Sequence, residues 1–167
     1  MPILLPYHEN FSIEDHHKWL GTTHLSKFWT KISGAGTVSF NTTGLTFTGV
    51  STWVIDTFIP VTVNQGFFAN FIHQQTAGAG TVAISVECYN SAKALLGTRN
   101  CFFSGTAPVS STNVQAFITS SGAAATNYIS GTLFIKIKVT VSANTGTYVL
   151  TRPYFDYMDY AQRSLYV

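Results

Sequence analysis

Leu133-Phe134-Ile135-Lys136-Ile137-Lys138-Val139-Thr140-Val141 is the stretch that decides the fold. Its odd positions are all aliphatic, and its even positions carry Phe, Lys, Lys and Thr. A period of two is the side-chain period of a β-strand, whereas a helix needs apolar residues three and four apart. The stretch predicts one strand with an apolar face against a core. Phe134, Lys136, Lys138 and Thr140 then form a solvated face.

The pattern repeats on both sides of it. Asn144-Thr145-Gly146 predicts a turn into a strand at 147–150, and residues 154–160 read as a last, aromatic strand. Upstream, Val82, Ile84, Val86 and Cys88 alternate with Ala83, Ser85, Glu87 and Tyr89, and Asn90-Ser91-Ala92-Lys93 reads as a tight connection. Residues 67–73 are apolar enough to be covered on both faces, and residues 53–59 form a strand ended by Pro60. Residues 37–40 and 45–49, joined by Asn41-Thr42-Thr43-Gly44, read as a hairpin. Residues 104–113 and 119–127 are small and polar and are expected as loops around a short strand at 114–118. About eight strands at intervals of roughly ten residues predict an all-β protein, an antiparallel sandwich or jelly roll. No period of 20–50 residues is present, which disfavours a propeller or solenoid.

Composition agrees. Of 167 residues, 46% are hydrophobic, 14% aromatic and only 10% charged. The chain has 23 Thr and 15 Ser, so branched and small hydroxyls fill the positions that ions would occupy on helical surfaces. A net charge of +2 is too small, and its cations too scattered, for a nucleic-acid binder. No apolar run approaches the length of a membrane helix, so membrane insertion is not expected. The opening Met1-Pro2-Ile3-Leu4-Leu5-Pro6-Tyr7 lacks the basic flank of a secretory signal. The predicted organisation is an irregular arm at 1–12, one β-sandwich domain at 13–160 and a tail at 161–167. A weakly charged, aromatic surface of this kind favours burial in an oligomer or larger assembly.

Catalytic signatures are missing. Neither a G-x-S-x-G elbow nor a phosphate-cradling or dinucleotide glycine motif occurs. The acids are Glu9, Glu14, Asp15, Asp56, Glu87, Asp156 and Asp159, and no spacing among them forces the facing pair that glycoside hydrolysis requires. His16, His17 and His24 fall short of a zinc site, because adjacent histidines diverge and no element fixes the third. His73, inside an apolar strand, reads as a core histidine with one satisfied nitrogen. Cys88 and Cys101, thirteen positions apart, could bridge adjacent strands but read first as reduced thiols. Aromatics at turns and strand ends remain. Sugars stack their C–H faces on flat rings flanked by planar polar groups, which singles out Trp53, Tyr89, Asn90 and Tyr128 as candidate ligand-binding residues. Trp19 and Trp29 suit a core or a subunit contact equally well.

The order of features resembles the galactose-binding-like jelly roll used by many carbohydrate-binding modules. The resemblance rests on Asn10-Phe11-Ser12 followed by Trp19, on Gly44-Leu45-Thr46-Phe47-Thr48-Gly49, and on Ile59-Pro60-Val61 leading to Phe71. It continues through residues 82–95 and closes on Tyr154-Phe155-Asp156, covering most of residues 10–160. Copies with low charge and high Thr/Ser/Gly resemble accessory domains of bacteriophage tail fibres, tailspikes and capsid surfaces. The resemblance implies a non-enzymatic module located in the virion, assembled as a homotrimer and contacting other virion proteins or a host surface polysaccharide. It implies no cofactor beyond one structural calcium, with Glu9 or Glu14 and Asp156 as carboxylate ligands. The alternatives are a decoration or collar protein that cements virion subunits and, third, a polysaccharide-degrading enzyme.

Overall fold

A computed structural model describes residues 29–41, 44–62 and 66–158. The expected arm at 1–12, the tail at 161–167, Glu9, Glu14 and the histidines 16, 17 and 24 lie outside the described residues. Within them the chain forms β1 (Trp29–Ser33), β2 (Thr37–Asn41), β3 (Gly44–Thr48), β4 (Ser51–Ile55), β5 (Ile59–Pro60) and β6 (Gly66–Ala77). It continues through β7 (Thr81–Tyr89), β8 (Leu95–Thr106), β9 (Thr112–Ser121), β10 (Asn127–Tyr128), β11 (Phe134–Ser142) and β12 (Thr147–Met158). No helix occurs among the described residues. The all-β reading is correct.

One sheet has the order β1-β4-β11-β7-β8, with β5 also pairing β11, and the other has the order β10-β9-β6-β12-β3-β2. All pairs are antiparallel except β10 with β9. The deciding stretch is β11, the centre of the first sheet. Ile135, Ile137, Val139 and Val141 are fully buried and pair in register with Cys88, Val86, Ile84 and Val82. Phe67, Ala69 and Phe71 of β6, Tyr148, Leu150 and Phe155 of β12, and Leu45 and Phe47 of β3 are buried from the second sheet. Together these side chains make one core between the layers, each fully buried Ile, Leu or Phe contributing about 1.5–3 kcal/mol.

Several details depart from the sequence reading, which expected about eight strands where the described residues form twelve. Residues 104–106 and 119–121, expected as loops, belong to β8 and β9. Small hydroxylated residues are tolerated there because strand pairing, with Thr106 opposite Thr81, satisfies the backbone. Residues 53–59 are not one strand, since the chain bends at Asp56-Thr57 before β5. Residues 147–150 and 154–158 form a single strand, and its register shifts between Thr151 and Tyr154, where Pro153 lacks an amide to donate.

Polar groups inside the core are few, and most are tied, while His73 Nε2 and Gln75 Oε1 are buried without a partner. The His73 Nδ1 lies 3.0 Å from the Tyr148 hydroxyl, as expected for a core histidine with one satisfied nitrogen. Phe103 packs edge-on against its ring at 4.4 Å. Gln75 Nε2 donates to Asn144 Oδ1 at 2.8 Å, and Asn144 Nδ2 donates to the Gly49 carbonyl. This side-chain chain holds the β11–β12 crossover between the sheets. Gly146 fits there because a Cβ would meet the Ala77 carbonyl oxygen at 2.1 Å.

Candidate functional site

Strand parity puts Phe134, Lys136, Lys138 and Thr140 on the outer face of the first sheet, opposite Tyr89, Glu87, Ser85 and Ala83 of β7. The β4–β5 bend then brings Phe58 onto one end of that face. Its ring meets Tyr89 edge-on at 4.9 Å and Phe134 edge-on at 6.2 Å. Three half-buried rings from three segments thus converge where β5, β7 and β11 lie side by side. Edge-to-face packing of this kind is the favoured arrangement for aromatic rings.

Charge surrounds the rings. The Lys136 ammonium lies 4.2 Å from the Phe58 ring centre. Lys93 reaches the same ring at 5.0 Å and Phe134 at 5.8 Å from the β7–β8 turn. Such contacts suit a cation, because the ring face is electron-rich. Glu87, two residues before Tyr89 and therefore on the same face, accepts the Tyr89 hydroxyl on Oε2. Its Oε1 accepts Lys138 Nζ at 3.0 Å. Burial, first, and the neighbouring carboxylate hold the Tyr89 hydroxyl protonated well above the usual tyrosine range, so it remains a donor. Both oxygens of Glu87 are engaged. Asp56, beyond the end of β4, accepts the Thr30 hydroxyl of β1. An aromatic platform with ammonium donors can hold a ligand by stacking and hydrogen bonding.

The residues singled out from sequence fare differently. Tyr89 is central to the platform. Asn90 adjoins it but serves the turn: its Oδ1 accepts the amides of Ala92 and Ala94, each at 3.0 Å. Lys93 takes a left-handed conformation with φ 58°, and the turn aims its side chain back over the rings. Trp53 shares the side of the sheet that Val139 presents to the core, because the two pair in register. It donates to Ser51 Oγ at 2.9 Å and lies beneath Lys31, on the face opposite Tyr89. Tyr128 is a correction. Its ring is only 2% exposed and belongs to the core, not to a ligand surface. Nearby, Arg99 donates to the carbonyls of Asn127 and Gly122, tying both ends of the 122–127 loop.

The implied calcium set is represented only by Asp156, whose backbone pairs with Phe68 in the second sheet. Glu9 and Glu14 lie outside the described residues, and among the described residues no three His, Cys, Asp or Glu gather. Cys88 and Cys101 are both buried and unbridged.

Sequence reasoning missed Phe58, Phe134, Lys93 and Lys136 as site residues. A signal was present in part: a Phe at an outward position of an alternating strand, two residues before a Lys, has no core to fill. Phe58 carried no such signal, because its place depends on the bend after Ile55.

No protein-family model matches the chain. No curated protein matches it either. Several solved structures share its fold. One is the enzymatically active domain of tailspike protein 4 of bacteriophage CBA120, at 14% identity and TM-score 0.56, over 89% of this chain and 21% of that one. The chain thus spans about a fifth of that tailspike chain. Another is the CBM22-1 xylan-binding domain of Paenibacillus barcinonensis Xyn10C, at 12% identity and TM-score 0.57, over 88% of this chain and 91% of that one. A third comprises the CBM22-1 and GH10 modules of Clostridium thermocellum Xyn10B with xylohexaose, at 10% identity and TM-score 0.54, over 79% of this chain and 26% of that one. The chain has the jelly-roll sandwich of these modules.

Proposed function

We propose that the protein is a non-catalytic carbohydrate-binding module whose ligand lies across the outer face of the first sheet. The observation that carries this reading is the convergence of Phe58, Tyr89 and Phe134 on the outer face of the first sheet, ringed by the amines of Lys93 and Lys136. Rings bind the C–H faces of a pyranose, and amines and hydroxyls hydrogen-bond its substituents. The xylan-binding and xylohexaose-bound neighbours support a polysaccharide as the ligand class. Catalysis is disfavoured because Glu87 is saturated by Tyr89 and Lys138, while a glycosidase needs two available carboxylates.

A finer reading belongs to the same proposal: a trimeric element of a phage fibre or spike that engages a host surface polysaccharide. The tailspike neighbour and the scarcity of surface ions support it. Three shallow sites on one rigid body would gain avidity without new contacts. Titration of purified protein against a polysaccharide panel tests the module, with the double substitution F58A/F134A expected to weaken binding at least tenfold. Undiminished binding by that variant, while it melts like the parent, refutes the site. Light scattering tests the assembly: a mass near three times 18.2 kDa is expected, and a monomer refutes the trimer.

A further inference from the structure

The proposed face carries more positive charge than a neutral sugar requires, and the geometry shows why that charge is available. Lys136 stands directly opposite Glu87 in the β7–β11 register, where an ion pair would be the ordinary outcome. Glu87 is instead occupied on Oε2 by the Tyr89 hydroxyl and on Oε1 by Lys138. That is the ion pair of the described residues, and it leaves Lys136 over the Phe58 ring at 4.2 Å. Lys93 converges on the same ring at 5.0 Å from the other strand connection. Neither Lys93 nor Lys136 has a carboxylate partner among the described residues. Asp56, the other described carboxylate of this sheet, is engaged by Thr30 of the edge strand β1. Two ammonium groups therefore flank one aromatic platform, with the neighbouring carboxylate already neutralised.

Resting on the carbohydrate-binding reading, we infer that the ligand is an acidic polysaccharide. Its sugar rings stack on Phe58, Phe134 and Tyr89, and its anionic groups replace the rings as partners of Lys93 and Lys136. An exposed cation–π contact is worth only about 0.5–1 kcal/mol, so a carboxylate or sulfate readily displaces it by forming a charge-assisted hydrogen bond. The edge of a neutral chain would use the lysines only as weak donors. The charge pattern thus sets specificity, while the rings set the requirement for a sugar.

Titration calorimetry tests the inference with polygalacturonate and alginate as carboxylated chains, heparin as a sulfated chain, xylan as a neutral chain and polyglutamate as a polyanion without sugar. The expected result is binding of at least one acidic polysaccharide over xylan by tenfold or more, weakening as salt rises from 50 to 300 mM. K93Q and K136Q should each lower that affinity about three- to tenfold without changing the melting temperature. K31Q should leave it unchanged, because Lys31 lies over Trp53 on the core-side face. Preference for heparin over polygalacturonate assigns sulfate as the anion, and the reverse assigns carboxylate; either supports the inference. Xylan binding equal to that of the acidic chains, insensitive to salt and to both substitutions, overturns the inference and leaves the carbohydrate-binding reading standing. Equal binding of polyglutamate, or binding of no polysaccharide, overturns both.

Discussion

Replacing Asn90 by Ala removes one acceptor oxygen and two hydrogen bonds, to the amides of Ala92 and Ala94, each 3.0 Å long. The turn is exposed, so both amides can turn to water, and each bond's net worth is about 0.5–1 kcal/mol. The backbone bonds Asn90 N–H to Ala94 O and Lys93 N–H to Asn90 O remain, both 3.0 Å, so the turn loosens without dissolving. The expected loss is about 1–2 kcal/mol in urea unfolding, or about 2–8 °C in melting temperature for a chain of this size. Function should change as well, because the left-handed Lys93 is aimed by this turn over Phe58 and Phe134. Affinity for acidic polysaccharide should fall about as far as in K93Q. N90D keeps the acceptor and should restore stability, yet it adds a negative charge beside Lys93 and should not restore binding. A stability loss below about 0.3 kcal/mol in N90A, with unchanged affinity, would refute the reasoning that this side chain organises the turn and, through it, the platform.

Burial lowers the pKa of His73, so the folded state favours its neutral form. The unfolded chain then binds the extra proton below the ordinary value of 6.5: stability is fully present above that pH and is lost as pH falls toward the folded pKa. Urea midpoints measured from pH 8 to 4.5 should show this decline, and H73L should flatten it; an equal slope in the variant counts against the assignment. In G146A the new Cβ meets the Ala77 carbonyl at 2.1 Å, and a destabilisation of about 1–3 kcal/mol is expected in denaturant unfolding. Burial pushes the Cys101 thiol up to about 12, and Cys88 is fully buried. Thiol reagents at pH 8 should therefore label neither cysteine in native protein and both in denaturant; rapid native labelling would mean that the β7–β8 pair opens.

Much of the fold is legible in the sequence. The alternation at 133–141 identifies the central strand, its buried face and its solvated face, because a pleated strand sends neighbouring side chains to opposite sides whatever it pairs with. The same parity places Glu87 with Tyr89 and makes Cys88 a core residue, and low charge with abundant Thr suffices for an all-β fold. A turn residue such as Asn90 is likewise readable, and its Oδ1 accepts two amides of its own turn. Periodicity reports the side of a residue and says nothing about its neighbour across the sheet. Tyr128 shows the cost: a tyrosine beside a polar loop reads as exposed, yet its place in β10 beside β9 makes it part of the core.

Local pleat geometry and the hydrophobic pattern thus assign which strand faces turn toward the core and which turn away, although Ser85 and Glu87 on the outward side are themselves buried. The aromatic platform depends on the tertiary structure alone. Phe58, Tyr89 and Phe134 come together only because β11 pairs β5 on one side and β7 on the other. Such pairings close long loops and are chosen by the packing of the whole core, not by any residue's own preference.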